Sequence, residues 1–470
     1  MSIALAIPIA IAVPLMCLVG MMFTKGKLSR SLSIFSTGIG VVIASAIAVS
    51  YLAGGSSLSI SYVYLPYIGT ALSFSVTGIS VAMLLMSSVV LFVAALSGNP
   101  EQESLRLSSS MILLFQAASA GIFMSSNLLL FFVFWDVGVI AMFIMINVLG
   151  AANRRKASLN FIIYEIFASS LLLLGIMLLY AYSPSHSMSL TALAQSGTMP
   201  QNVQLAIFFL LFMAFLTNMP VFPMHFWLPD AHSEASTQGS MLLSGILTKF
   251  GGYGMLILFI SMPISHDYSK YIAALSIFSA IYAALVMSRQ TDIKRIIAYT
   301  TIVDMSIILV SISAVNTIGY YGAIYGMLSH GLAVSLLFLC AGNVKYMFNE
   351  RNVKRLRGII ATSPAVTYGF AIGMLSTLGL PLTSGFVADL LIFIGAVNGL
   401  GLYALLPLAA IAIMGGFLYL VFSRSFLYVS ENSEPSAFDH RAQKAGYLIL
   451  AASIVAFGIT QALLLSHIFL

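Results

Sequence analysis

The chain has 470 residues, 60% of them hydrophobic and only 7% charged, with a net charge of +6 and a mean hydropathy of +1.03. A water-soluble domain carries roughly 25% charged residues, so lipid is the expected solvent. The basic excess is no nucleic-acid signal, because it lies between apolar runs.

A bilayer core takes about 20 apolar residues per helix. Such runs fall at roughly 3–23, 32–53, 76–97, 107–126, 128–149, 159–182, 203–224, 238–262, 271–288, 296–315, 318–341, 363–398, 402–427 and 445–468. The pattern predicts an all-α integral membrane protein of about fourteen transmembrane helices, with short loops and no soluble domain. Met1 leads straight into the first run, so no removable signal peptide is expected. Cys17 and Cys340 lie inside apolar runs and lack metal or redox spacing. There is no Walker A loop, no GxGxxG motif after a strand and no His/Cys metal pattern, so no cofactor or metal is expected in this chain.

Eighteen of the twenty Lys and Arg residues, from Lys25 to Lys444, fall in the loops after odd-numbered spans. Lys270 lies in an opposite loop and Lys249 inside the eighth span. This bias places the basic loops in the cytoplasm and both termini outside, in a cell (plasma or inner) membrane.

Charges inside the spans carry more information. Asp136, Glu165, Asp304 and Asp389 interrupt apolar runs, as do Lys249 and His330. Each charge at the bilayer centre costs about 2.5–3.5 kcal/mol on insertion scales, so such residues face the bundle interior and mark ion paths. One alone is also explained as a structural polar contact. Six together read as stations of a proton path, with water or hydroxyls between them.

Two spans carry proline where a helix should continue: Thr217-Asn218-Met219-Pro220-Val221-Phe222-Pro223 and Thr377-Leu378-Gly379-Leu380-Pro381. Proline removes a backbone donor and clashes one turn back. Helices 7 and 12 are therefore expected to be discontinuous. An ordinary kink explains one break. Two breaks five helices apart suggest inverted repeats. The expected organisation is helices 1–3 over 1–106, a first inverted five-helix repeat over 107–262 (helices 4–8), a second over 271–427 (helices 9–13), and helix 14 over 445–470.

The stretch from Pro223-Met224-His225-Phe226-Trp227-Leu228-Pro229-Asp230-Ala231-His232 to Thr248-Lys249-Phe250-Gly251-Gly252-Tyr253-Gly254 resembles the broken-helix signature of the proton-translocating, antiporter-like subunits of quinone oxidoreductases. That family includes complex I membrane subunits and the large subunits of multisubunit cation/proton antiporters. Phe134-Trp135-Asp136, Gln290-Thr291-Asp292-Ile293-Lys294-Arg295, Met327-Leu328-Ser329-His330-Gly331 and Gly385-Phe386 extend the resemblance over at least 107–400. An acid at Asp389 is similar to the M-type (chain 4) branch.

The resemblance implies a proton-translocating subunit of a redox-driven quinone oxidoreductase, with two linked half-channels. Asp136 would be the inner acid, Lys249 the central lysine, His330 the link and Asp389 the outer proton donor. The chain would belong to an enzyme as a subunit, with no redox active site of its own. Flavin, iron–sulfur clusters and quinone would sit in partner subunits. Expected partners are other membrane subunits of a complex I-like assembly, the lipid bilayer and protons, with no nucleic acid. A subunit of a multisubunit Na+/H+ antiporter or membrane-bound hydrogenase is the alternative, and a non-translocating structural subunit is another.

Some positions depart from the family pattern. Asn218 stands where relatives carry lysine, Asp136 is shorter than glutamate, Glu165 is an unexpected acid, and Asp304 replaces a common histidine. Either the path is rewired, with Lys249 serving Asp136 directly, or transfer through this subunit is lost. Glu165, Asp304, Asn218 and His225 are candidates for an auxiliary path.

Overall fold

A computed structural model describes residues 5–24, 26–53, 58–65, 70–98, 104–184, 186–428 and 441–461. The outer ends of the first and last predicted spans lie outside the described residues.

The chain begins with α1 (Ala6–Gly20) and α2 (Lys27–Leu52). An antiparallel hairpin follows, β1 (Leu58–Leu65) with β2 (Thr70–Val76), in register Leu58 to Val76. The apolar-span reading leaves this stretch between helices; its period-two alternation suits a half-buried ribbon. Next come α3 (Gly78–Leu96), α4 (Leu105–Met124), α5 (Leu128–Leu149), α6 (Arg154–Tyr182), the short α7 (Leu190–Ala194), α8 (Gln201–Asn218) and α9 (Trp227–Glu234). α10 (Thr237–Leu242), a π turn (Leu243–Leu247) and α11 (Thr248–Ser261) form one span, Thr237–Ser261. Then follow α12 (Ser265–Met287), α13 (Ile293–Ser313), α14 (Thr317–Phe348), α15 (Ile359–Thr362), α16 (Pro364–Thr377), α17 (Ser384–Leu400), α18 (Pro407–Val421) and α19 (Arg441–Ile459).

Short polar residues set the helix starts by accepting the orphan amides of the first turn. Thr77 receives Ser80 N, Asn127 receives Leu129 N, Asp292 receives the amides of Lys294 and Arg295, and Asn316 receives Gly319 N. Thirteen helices among the described residues are long and apolar enough to cross a membrane. The twelfth predicted span is the remaining one. It is split into α16 and α17, each too short to cross alone, which brings the total to the predicted fourteen.

Both proline breaks are present. α8 stops at Asn218, six residues short of the predicted end, and irregular backbone runs to Trp227. Open backbone at membrane depth survives only where protein satisfies it. The Trp227 indole donates to Thr217 O at 3.0 Å, and Phe222 N donates to Ser279 Oγ at 3.0 Å. At the second break, Gly379 takes φ +65°, a conformation that favours glycine.

α14 is the axis of the bundle: its membrane window is entirely buried, and it packs on α13, α16 and α17. α2 and α6 present large apolar side chains such as Phe35 and Ile163 outward, as lipid-facing helices do. The basic loops share one end of the bundle. There Ile293 N bonds Arg351 O, Val353 N bonds Thr291 O, and the Arg351 guanidinium donates to Ser233 O.

Candidate functional site

The π turn at Leu243–Leu247 widens the helix just before Lys249. Such turns are rare and concentrate at functional sites. Ser244 O accepts from Lys249 Nζ at 2.6 Å and from Thr248 Oγ1 at 2.9 Å. Lys249 is fully buried. Its helix crosses α14 at Gly245 and Gly331, where a Cβ on Gly331 would sit 2.9 Å from Gly245 O. Only a glycine pair permits that approach, and it brings Lys249 Nζ to 2.5 Å from His330 Nδ1.

The other ring nitrogen of His330, Nε2, lies 3.7 Å from Asp304 Oδ2 on α13. His330, Asp304, Ser376, Thr377 and Asp389 line a cavity of about 30 Å³. That is room for a water or two, since one water needs about 10–15 Å³ by this measure. A Cβ on Gly379 would lie 2.3 Å from Asp389 Oδ2, so the carboxylate rests on the glycine of the second break. Lys249, His330, Asp304 and Asp389 thus form one row of groups.

The other acids form a separate cluster. Glu165, fully buried on α6, takes Asn218 Nδ2 at 3.3 Å from each carboxylate oxygen. Asp136 on α5 accepts from Ser169 Oγ at 2.5 Å. Both acids line a groove of about 420 Å³ between α5 and α6 that opens sideways from the bundle. Asp136 is half-buried and so lies at the margin rather than in the dry interior.

The structure does not make Lys249 the partner of Asp136. The Lys249 ammonium turns instead to Ser244, Thr248 and His330. The tie between the two clusters is Asn218, whose Oδ1 accepts Gly251 N at 2.9 Å, two residues beyond Lys249. Asn218 therefore holds the broken end of α8 between Glu165 and the Lys249 helix. His225 contacts neither cluster. Its ring packs among Phe222, Phe226 and Tyr282, and neither nitrogen has a hydrogen-bond partner among the described residues.

Two residues of this site escaped the sequence reading. His232, read only as part of a motif, is fully buried and stacks on Phe338 with ring centres 4.3 Å apart. Its nitrogens have no partner among the described residues. Lys294, counted only among the loop cations, is 1% exposed. Its Nζ donates to Ala235 O at 2.6 Å and Ser240 Oγ at 3.2 Å, and it lines a cavity of about 580 Å³ with Lys345 and Asn343. The Asp292 cap carried the missing signal: a helix starting there puts Lys294 in its first turn.

The fold and the charge row define a multi-pass helical membrane protein with titratable groups along its interior. The chain belongs to the NADH:quinone oxidoreductase/Mrp antiporter transmembrane family, whose model matches residues 125–415. It is 34% identical over 366 residues to NADH-quinone oxidoreductase subunit M of Rickettsia felis, covering 77% of this chain and 73% of that one. It is 32% identical over 371 residues to F(420)H(2) dehydrogenase subunit M of Methanosarcina mazei, covering 75% and 73%. The fold matches a chain of respiratory complex I from Thermus thermophilus with a TM-score of 0.88 at 22% identity, covering 99% of this chain and 98% of that one. A chain of the Mrp complex from Dietzia sp. DQ12-45-1b matches with a TM-score of 0.88 at 20% identity, covering 100% and 97%. The subunit M relatives agree with the branch to which Asp389 pointed.

Proposed function

We propose that this chain is a proton-translocating membrane subunit of a redox-driven quinone oxidoreductase complex. The observation that carries the reading is the row that runs from Lys249 to His330 Nδ1 at 2.5 Å, on to Asp304 at 3.7 Å from His330 Nε2, and across a small cavity to Asp389 beside the second helix break. A buried base and acid joined by an imidazole can hand on one proton at a time: His330 gives a proton from one ring nitrogen as the other takes one up. A water in the small cavity would bridge Asp304 to Asp389.

On the basic, cytoplasmic side, the cavity at Lys294 and then His232 lead protons to Lys249. Asp389, beside the open backbone of Gly379, hands them to the outer side. Asp136 and Glu165 face a lateral groove, where they would sense charge in a neighbouring membrane subunit. The path is thus rewired: Asn218 positions Glu165 and the Lys249 helix rather than titrating. Residues 107–262 and 271–427 are read as the two inverted repeats, each holding one break. Flavin, iron–sulfur clusters and quinone belong to partner subunits, and no redox site is assigned here. The membrane is a cell membrane, with both termini outside.

The fold match to an Mrp chain supports a second reading as a multisubunit cation/proton antiporter component. The relatives above 30% identity favour the first. The test is Lys249→Met combined with Asp389→Asn in the assembled complex in membrane vesicles. Protons moved per electron should fall. An unchanged ratio assigns the chain a structural role, and sodium-dependent exchange without quinone reduction assigns the antiporter reading.

A further inference from the structure

A second charged hollow lies apart from the proton row, at the basic end of the bundle. It has a volume of about 590 Å³ and is framed by the end of α12, the loop after α14 and the end of α18. Four cations line it, Arg289, Lys354, Arg357 and Arg424, and no acid does.

Neighbouring cations on this face are neutralised. Arg351 meets Asp292 at 3.3 Å, Arg355 meets Glu350 at 3.4 Å, and Arg295 pairs with Asp230. Glu350 lies outside the spans, and backbone amides of Asn352 and Arg351 hold its carboxyl below the usual range, so it stays ionised. The four cations of the hollow have no ion pair among the described residues. Arg357 is nevertheless held in place, donating to Leu356 O at 2.7 Å.

One wall of the hollow is apolar. Phe417 and Leu420 belong to the membrane span Leu402–Leu427, and Leu420 is 46% exposed, so this wall runs into the lipid. Four unpaired cations at the water boundary, above an apolar wall that descends into the bilayer, match one ligand chemistry: a phosphate head carrying acyl chains. Basic pockets at the cytoplasmic ends of membrane helices recognise such headgroups. The volume lies in the range of about 300–1,000 Å³ typical of ligand sites.

We propose that this hollow binds the headgroup of an anionic phospholipid, with its acyl chains along Phe417 and Leu420. Arg289 and Arg424 are exposed, so their neutralisation should leave the fold intact.

The test uses the whole purified complex, delipidated and titrated in detergent with phosphatidylglycerol, cardiolipin, phosphatidylcholine or inorganic phosphate. Native mass spectrometry counts the lipids retained. The proposal expects the anionic lipids to bind and phosphatidylcholine not to. Affinity should fall roughly 5-fold for Arg289→Gln or Arg424→Gln and roughly 30-fold for both together. Arg106→Gln, outside the hollow, should leave it unchanged. Equal binding of phosphatidylcholine, or no change in the double variant, overturns the proposal. Displacement of the lipid by millimolar inorganic phosphate would mark a free-phosphate site and overturns it too. Glu431, Glu434 and Asp439 follow α18 in sequence. If amidating all three raised lipid affinity 5-fold or more, the chain's own acids would be the occupant. Cross-linking of Arg424→Cys to a partner subunit in the native complex would make the hollow a protein interface and overturns the proposal.

Discussion

Replacing Lys249 with Met tests the row where it is most constrained. Met nearly preserves the volume but removes the ammonium, which donates to Ser244 O at 2.6 Å and Thr248 Oγ1 at 3.2 Å and meets His330 Nδ1 at 2.5 Å. For stability the effects oppose each other. Hydrogen bonds to a charged group contribute about 1.5–3 kcal/mol each. Burying the charge costs about 2.5–3.5 kcal/mol on insertion scales. Ser244 O also keeps its bond from Thr248. Losing the two donated bonds removes about 3–6 kcal/mol and relieving the burial returns about 2.5–3.5 kcal/mol, so the net loss should not exceed about 3.5 kcal/mol, and the complex should assemble. Transport has no such compensation. A proton passing this point without a titratable side chain meets roughly the 2.5–3.5 kcal/mol that the lysine otherwise removes. That slows transfer through this subunit roughly 70- to 400-fold. The assay is dye-reported proton uptake into inverted vesicles, with quinone reduction followed in the same sample. Lys249→Arg, which keeps a cation, should retain more transfer than Met. If Lys249→Met moved as many protons per electron as the native chain, the row would not be the path.

Four other changes separate the remaining links. His232→Phe should preserve stacking on Phe338 while removing both ring nitrogens, so assembly should be normal by native gel and proton uptake at least 10-fold slower. Gly379→Ala places a Cβ 2.3 Å from Asp389 Oδ2 at a backbone φ of +65°. The strain is about 1–2 kcal/mol, and displacement of Asp389 should slow proton release, measured in the same vesicles. Asn218→Leu leaves Glu165 without its amide partner and should destabilise the subunit by about 1–3 kcal/mol, seen as a lower melting temperature of the detergent-solubilised complex. Asn218→Lys should be tolerated, because an ammonium there falls beside both Glu165 oxygens; loss of assembly would refute that geometry.

The membrane character and the broken helices were legible because both are local properties. Apolar run length counts spans whatever their packing, and Pro220 and Pro381 break a helix whatever surrounds it. The twelfth span was recognised from Leu380-Pro381 although neither α16 nor α17 is long enough to cross alone. Buried charge was also legible, since Asp304 or Asp389 in an apolar run is costly wherever the helix sits. The hairpin at Leu58–Val76 was not, because its stability lies in pairing between strands.

Partnership was decided only in three dimensions. In the sequence, Lys249 and Asp136 look like a pair and Asn218 looks like a lost charge. The glycine crossing at Gly245 and Gly331 sends the lysine to His330 instead, and Asn218 becomes the partner of Glu165. Lys294 and His232 joined the site for the same reason: their importance depends on which groups lie across a helix interface. A chain can declare how costly each of its residues is to bury, because that depends on the residue and its neighbours in sequence. It cannot declare which residue relieves the cost, because that is set by helix crossings between positions far apart along the chain.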